Sequence, residues 1–173
     1  EDNPFLVLDT KFFSAEFKHK LVGSMEKVDE ECNGLLINSE NFQALELLQE
    51  KYREKVKYVY IDPPYNAKSS EILYKNTFKH ASWLSLIENR LLASKQLLNE
   101  ESVYTIAIDD VEFAKLGVLS SEIFSDFSGT NCVSVIINPS GQMGKNFSVN
   151  GEYLYFYYND SENMLAKEQR SEE

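Results

Sequence analysis

Cysteine is scarce in this sequence: Cys32 and Cys132 are the two, with no CxxC spacing and no histidine pair nearby. A disulfide scaffold is thereby excluded, no thiolate and imidazole set is present for a metal, and both thiols are expected to be free. Long apolar runs are missing too. No stretch approaches the roughly 20 residues that cross a bilayer as a helix. The opening Glu1-Asp2-Asn3-Pro4 has neither the basic start nor the apolar stretch of a secretory signal. A cytoplasmic location is the expectation, with no membrane partner, and an opening without Met suggests a processed or excised piece. Positive charge is also short, 17 Lys and Arg against 28 Asp and Glu, for a net charge of -11. Non-specific affinity for a polyanion comes from Lys and Arg displacing counterions at phosphates. A chain this acidic therefore does not grip nucleic acid by charge alone, and most phosphate contacts to any such substrate lie elsewhere. A phosphate-cradling glycine loop is missing as well. Gly141-Gln142-Met143-Gly144-Lys145 has neither Walker A spacing nor a Ser or Thr after the lysine, and reads as a plain loop.

What is present is material for one core: 43% hydrophobic residues in a chain of 173, with eleven Phe and ten Tyr. Residues 1–33 read as a mixed N-terminal extension, with Phe5-Leu6-Val7-Leu8 as a short strand and Phe12 to Leu21 as a helix carrying Phe13 and Phe17 on one face. From Leu35 the pattern alternates. Leu35-Leu36-Ile37 reads as a strand, Ser39 or Asn41 as a helix cap, and Leu45, Leu48 and Tyr52 fall at helical spacing. Val56 to Ile61 is a nearly unbroken β-rich run that stops at two prolines. A helix is expected from Ser82 to near Asn99, a strand over Val103 to Ile108, and a helix to about Phe124 opened by a capping box of Asp109 with Glu112. Val133 to Ile137 and Tyr153 to Tyr158 read as two further strands joined by the loop Pro139 to Asn150. The pattern predicts an α/β fold over residues 34–160: a mostly parallel sheet with helices on both faces, an antiparallel hairpin at one edge, and a charged tail over 161–173.

The chemistry sits in Asp62-Pro63-Pro64-Tyr65, directly after the strand Val56 to Ile61. Ligands of open α/β sheets bind outside the carboxyl ends of the strands, so these four residues stand where a site belongs. Two prolines fix φ and remove both N–H donors, which leaves a rigid turn with carbonyls free to accept. Beside it are the Asp62 carboxylate and the aromatic face of Tyr65. An exocyclic amine on a nucleobase is a poor nucleophile because its lone pair is delocalised into the ring. Two hydrogen bonds, one to Asp62 and one to the Pro63 carbonyl, favour a pyramidal nitrogen whose lone pair is aimed at an incoming methyl group. Fixed acceptors also bind the positive charge that develops on that nitrogen better in the transition state than in the ground state. Tyr65 supplies a face on which an extruded base can stack, worth about 1 to 3 kcal/mol. Read locally, the same turn is a strand end with Asp62 as a cap.

This tetrapeptide resembles the catalytic motif of S-adenosylmethionine-dependent adenine-N6 DNA methyltransferases. The wider likeness is to the modification subunit of type III restriction-modification systems. It is carried by Leu35-Leu36-Ile37-Asn38-Ser39-Glu40-Asn41-Phe42-Gln43-Ala44-Leu45, then Tyr60-Ile61-Asp62-Pro63-Pro64-Tyr65-Asn66, then His80-Ala81-Ser82-Trp83-Leu84 and Ile108-Asp109-Asp110. Lys145-Asn146-Phe147-Ser148 with Glu152-Tyr153 continues it. The resemblance implies a Rossmann-like methyltransferase fold, with Asp62, Pro63, Pro64 and Tyr65 binding and activating the target adenine in DNA. It places Ser39, Glu40 and Asn41 near the adenosyl end of S-adenosylmethionine, and it implies a homodimer partnered by a restriction endonuclease subunit. Members often carry Gly-Asp where this chain has Ser39-Glu40, and many read Asn-Thr-Gly-Gly where it has Asn66-Ala67-Lys68-Ser69. The family's glycine-rich donor motif, Phe-x-Gly-x-Gly, does not occur, so the donor site is expected to be incomplete.

Lesser candidates are Asn66, His80 and Trp83, which follow the motif and are placed to line an entrance for DNA. The plainer reading of His80 and Trp83 is a helix start. Lys68, Lys75 and Lys79 are a modest basic stretch able to touch phosphate. Two other functions stay open: amino-methylation of cytosine N4, RNA or protein, and a remnant without catalysis that assembles through its aromatic-rich final strands.

Overall fold

The computed structural model describes residues 9–66, 79–137 and 151–159, and the chain divides into two compact units, Glu1–Asn38 and Ser39–Glu173. In the first unit a short 3-10 turn at Thr10–Phe12 precedes helix α1 (Ala15–Gly23) and a single turn of helix, α2 (Val28–Glu31). The helix expected from Phe12 starts later because Ser14 caps it, its hydroxyl accepting from the Phe17 N–H at 3.2 Å. Phe13 and Phe17 do stack, with ring centroids 4.5 Å apart. The strand expected at Leu35-Leu36-Ile37 is irregular backbone instead. No described strand pairs with it, and Leu36 is 98% exposed. Three apolar residues without a ladder partner do not make a strand. The expectation at Phe5 to Leu8 lies outside the described residues.

The second unit holds, in order, α3 (Asn41–Tyr52), β1 (Val56–Ile61), α4 (Lys79–Lys95), β2 (Leu98–Ile108), α5 (Phe113–Ile123), β3 (Gly129–Ile136) and β4 (Gly151–Tyr158). The strands form one sheet in the order β1-β2-β4-β3, with β1 and β2 parallel and the other two pairings antiparallel. The α/β class and the antiparallel hairpin at one edge are as the sequence pattern predicts. The sheet is mixed rather than mostly parallel, because β4 runs between β2 and β3 and opposes both. The helices also depart from the expected two-sided arrangement. Alternation places Val59, Tyr104 and Tyr157 on one face of the sheet. On that face Val59 shares a cavity wall with Leu45 of α3, the Tyr104 hydroxyl meets Ser94 of α4 at 2.7 Å, and that of Tyr157 meets Ser120 of α5 at 2.6 Å. All three helices of this unit pack there. On the opposite face Tyr58 and Tyr60 are each 54% exposed.

The core lies between α4, α5 and the sheet. Trp83, Ile87 and Leu91, four residues apart, make the buried stripe of α4. Against them are Tyr104, Ile106 and Ile108 of β2, with Leu116, Phe124 and Tyr157. Phe124 contacts the rings of Tyr104 and Tyr157, each with centroids 4.8 Å away, and Phe113 lies on Tyr153 and Tyr155. Every buried tyrosine hydroxyl in this stack finds a partner, which is what makes so aromatic a core stable. Gly117 permits the approach of α5 to β4: a Cβ there would stand 2.5 Å from the Tyr155 hydroxyl. That closeness outweighs the roughly 1 kcal/mol that glycine costs inside a helix.

Leu91 and Leu47 give a direct contrast, the first wholly buried and the second 73% exposed. Leu91→Ala is expected to cost about 2 to 5 kcal/mol and Leu47→Ala under about 0.5 kcal/mol, read by urea denaturation. Equal losses would mean that α4 is not the core helix.

Candidate active site

Because β1 and β2 are parallel, the segment after Ile61 and the segment after Ile108 leave the sheet at the same end. The motif begins there. Asp62 and Pro64 are exposed, Pro63 is buried, Tyr65 is half-buried, and Asn66 is buried at 8% exposure. The turn is braced from behind. Trp83, fully buried on α4, donates its indole N–H to the Pro64 carbonyl at 2.7 Å. The two proline carbonyls are therefore not equivalent: the one of Pro64 is taken by the core, whereas no described group donates to that of Pro63. Trp83 itself has no face open to an extruded base, so the expectation that it lines an entrance gives way to a supporting role.

Tyr65 is fixed through its hydroxyl, which donates to Glu152 Oε2 of β4 at 3.0 Å. Burial, and then the neighbouring Asp62 and Glu152 carboxylates, push its phenol far above the ordinary tyrosine range. The ring is thus a neutral surface tied to the sheet, and packed in part against the core. Glu152 belongs to the family likeness in the sequence but is not one of its site candidates, since its spacing does not tie it to Tyr65, 87 residues away.

Asn66 ends the motif in the left-handed region, φ 61°, a conformation that asparagine tolerates better than most residues. Its side-chain amide donates to Glu112 Oε1 at 2.6 Å, and His80 Nδ1 meets the same oxygen at 2.5 Å. Lys115 Nζ stands 3.3 Å from Oε2, and the Glu112 side chain is wholly buried. Burial alone would raise this carboxyl, but the hydrogen bonds from Asn66 and His80, the His80 charge and Lys115 together hold it below its ordinary 4.5. The capping box expected of Asp109 and Glu112 is not formed. Asp109 accepts from the Val111 N–H at 3.0 Å, and Glu112 makes no side-chain cap because it is turned inward.

A cavity of about 630 Å³ opens beside the turn, lined by Asn41, Asp62, Pro63, Pro64 and Arg90 with an apolar wall that includes Ile87. Asn41 and Asp62, far apart in sequence, meet on it. Ser39 and Glu40 do not line it. Glu40 is the actual N-cap of α3, in place of Ser39 or Asn41: it accepts from the Gln43 N–H at 3.2 Å and pairs with Arg90 at 2.5 Å. Backbone donation from Phe42 leads the causes that lower its carboxyl. Among the described residues no His, Cys, Asp and Glu cluster is suited to a metal, and both cysteines are free and exposed.

With this geometry in view, the DNA methylase family, of the N6 and N4 type, matches residues 56–173. The chain belongs to the DNA methylase family. Among its relatives is the Haemophilus influenzae protein named "Probable type III restriction-modification enzyme HindVI Mod subunit", 32% identical over 138 residues, covering 78% of this chain and 18% of that protein. The type III restriction-modification enzyme EcoPI Mod subunit of Escherichia phage P1 is 28% identical over 165 residues, covering 78% of this chain and 26% of that protein. The chain thus spans about a quarter or less of the length of these two relatives. Among solved structures the M1.HpyAVI–SAM complex aligns with a TM-score of 0.53 at 12% identity, over 80% of this chain and 60% of that one. This likeness shows a shared fold, the Rossmann-like arrangement.

Of the residues singled out from sequence, Asp62 to Asn66, His80, Trp83 and Asn41 converge on one end of this methylase sheet, and Glu112, Glu152 and Arg90 join them unannounced. Glu112 carried a signal, an acidic residue just after the strand parallel to β1, which the capping reading absorbed. Lys68, Lys75, the loop Pro139 to Asn150 with Gly141 and Lys145, and the charged tail lie outside the described residues.

Since the folded-state carboxyl of Glu112 lies below its unfolded value, its contribution to stability is complete above about pH 4.5 and is lost as pH falls further. Thermal unfolding between pH 3 and 7 is expected to show that acid limb, and Glu112→Gln to make it shallower. An unchanged limb would mean that the carboxylate is not ionised in the fold.

Proposed function

We propose that this chain is the catalytic portion of a site-specific DNA adenine-N6 methyltransferase in a restriction-modification system, with S-adenosylmethionine as methyl donor. The observation that carries the reading is the braced turn at the carboxyl end of β1, which presents an exposed carboxylate at Asp62 next to a Pro63 carbonyl that no described group engages. An amine laid between them donates one N–H hydrogen bond to each acceptor. The acceptors are held by a strand, by two φ-locked prolines and by Trp83, so they need not reorganise as charge develops on the nitrogen. Tyr65 offers the base a neutral ring that Glu152 keeps from swinging away. Asp62 accepts and orients; no covalent bond to the protein is required.

S-adenosylmethionine supplies an electrophilic methyl group on a sulfonium. The cavity beside the motif fits part of such a molecule, having an apolar wall and the polar groups of Asn41, Asp62 and Arg90 on its rim. Asn41 and Asp62 would hold it there. Glu40, already engaged by Gln43 and Arg90, acts on that rim through Arg90. The names of the relatives support DNA as substrate and a restriction endonuclease subunit as partner, and a homodimer and a cytoplasmic location belong to the same reading. Assembly through the aromatic final strands is less favoured, because Tyr153, Tyr155 and Tyr157 are packed against α5 or its flanks.

The test is transfer of labelled methyl from S-adenosylmethionine to duplex DNA, with the product bases separated after hydrolysis. The chain is assayed alone and with a polypeptide that carries a glycine-rich donor segment. N6-methyladenine is expected, and Asp62→Ala is expected to lower the rate on the order of 100- to 1000-fold. Label in N4-methylcytosine, RNA or protein would replace the substrate; no loss in Asp62→Ala would remove the mechanism.

A further inference from the structure

Glu112 is the one wholly buried carboxylate among the described residues, and it lies directly behind the motif turn. Burying a carboxylate costs several kcal/mol unless its charge and oxygens are met; in Glu112 the hydrogen bonds fall on Oε1, while Oε2 has no hydrogen bond and faces the Lys115 ammonium at 3.3 Å. Here the partners come from separate parts of the chain: Asn66 from the end of the motif, His80 from the first turn of α4, and Lys115 from α5 itself. Glu112 also precedes the first residue of α5, where the positive end of the helix dipole favours an anion. A residue needed only to start α5 would turn its side chain to the helix N–H groups. This one does not.

The contact to Asn66 is directional. The other amide atom, Asn66 Oδ1, is buried without a hydrogen-bond partner, an expensive state that the fold accepts in order to point Nδ2 at the carboxylate. A flipped amide would set Oδ1 against the Glu112 oxygen, so the charge on Glu112 selects the orientation. Asn66 is also the residue of the turn with positive φ, where the chain departs from the extended course of β1. Holding its side chain holds that φ. On the other side of the turn Trp83, one helical turn after His80, holds Pro64. Asp62 and Pro63 are thus presented by a turn whose exit is fastened at two points.

From this we infer that Glu112 is a positioning residue: through Asn66 and His80 it locks the exit of the Asp62–Asn66 turn to the first turns of α4 and α5 and so sets where Asp62 and Pro63 present their acceptors. The inference rests on the proposed methyl-transfer reading for its catalytic consequence, but its structural content can be measured without it. Trp83 is the sole tryptophan, so the protein has a single indole N–H resonance, and that proton sits on the turn.

The experiment compares the full chain with Glu112→Ala, Glu112→Gln and Asn66→Gly, the last keeping the positive φ accessible while removing the amide. Two readouts are taken: the Trp83 indole N–H resonance with its hydrogen exchange, and methyl transfer from S-adenosylmethionine to DNA. Glu112→Ala is expected to shift the resonance and speed its exchange about tenfold or more. Its kcat should fall on the order of 10- to 100-fold, while KM for S-adenosylmethionine stays within about twofold. Glu112→Gln, which still offers an acceptor to Asn66, should recover most of both. Asn66→Gly should reproduce the kcat loss, and combining it with Glu112→Ala should add little, since the two act through one contact. An unmoved resonance in a folded Glu112→Ala protein, or additive losses in the double variant, overturns the inference. If Glu112→Ala does not fold, Asn66→Gly with an unmoved resonance overturns it equally. The resonance decides the positioning role whether or not transfer is detected, and an unaltered protein that transfers nothing even with the donor-segment polypeptide counts against the methylation reading alone.

Discussion

One hydrogen bond joins the core of this protein to its chemistry: the indole of Trp83 donating to the carbonyl of Pro64. Prolines at both central positions of the turn have no N–H groups to fasten them to neighbouring backbone, so a turn of this kind must be held by its carbonyls and by packing. Trp83 does both. It is wholly buried among Ile87, Leu91 and the β2 residues, and its one polar atom reaches out to the turn. The stability of the aromatic core and the placement of the acceptors are thereby the same fact seen from two sides.

How far the sequence carried the reading depends on the range of the interactions involved. Val56 to Ile61 is legible because its β-branched and aromatic residues continue until proline begins, although β1 is, among the described residues, an edge strand with Tyr58 and Tyr60 exposed rather than one buried on both faces, and DPPY is legible because its prolines state their own geometry. The helix bearing Trp83, Ile87 and Leu91 is legible from spacing alone. The strand at Leu35 to Ile37 fails because a strand is defined by a partner and three apolar residues do not name one. Glu112 was misread for a related reason: its spacing from Asp109 fits a local cap, and only the fold reveals that Asn66 and His80 stand closer to it than the helix N–H groups do. The one-sided placement of α3, α4 and α5 is likewise a property of connections, which periodicity does not record.

The family and its relatives agree with this division. The match covers the motif strand and everything after it, where the pattern is strong, and the structural likeness persists at 12% identity, where few side chains are shared. What endures at that distance is the fold. In this chain the place at the carboxyl end of the sheet is furnished by Glu40 capping α3 and gripping Arg90, Glu152 tethering Tyr65 and Glu112 tethering Asn66. Three of the 28 acidic residues serve as these tethers.

β1 stands at an edge of the sheet, hydrogen-bonded along one side only among the described residues. The strand that carries Asp62 is consequently anchored like a shelf bracketed at one margin, and its compliance is governed by the helices beneath and by whatever meets its free margin. A backbone laid along that margin would stiffen the shelf without touching the motif. Recognition at the edge and rate at the turn would then be mechanically the same variable.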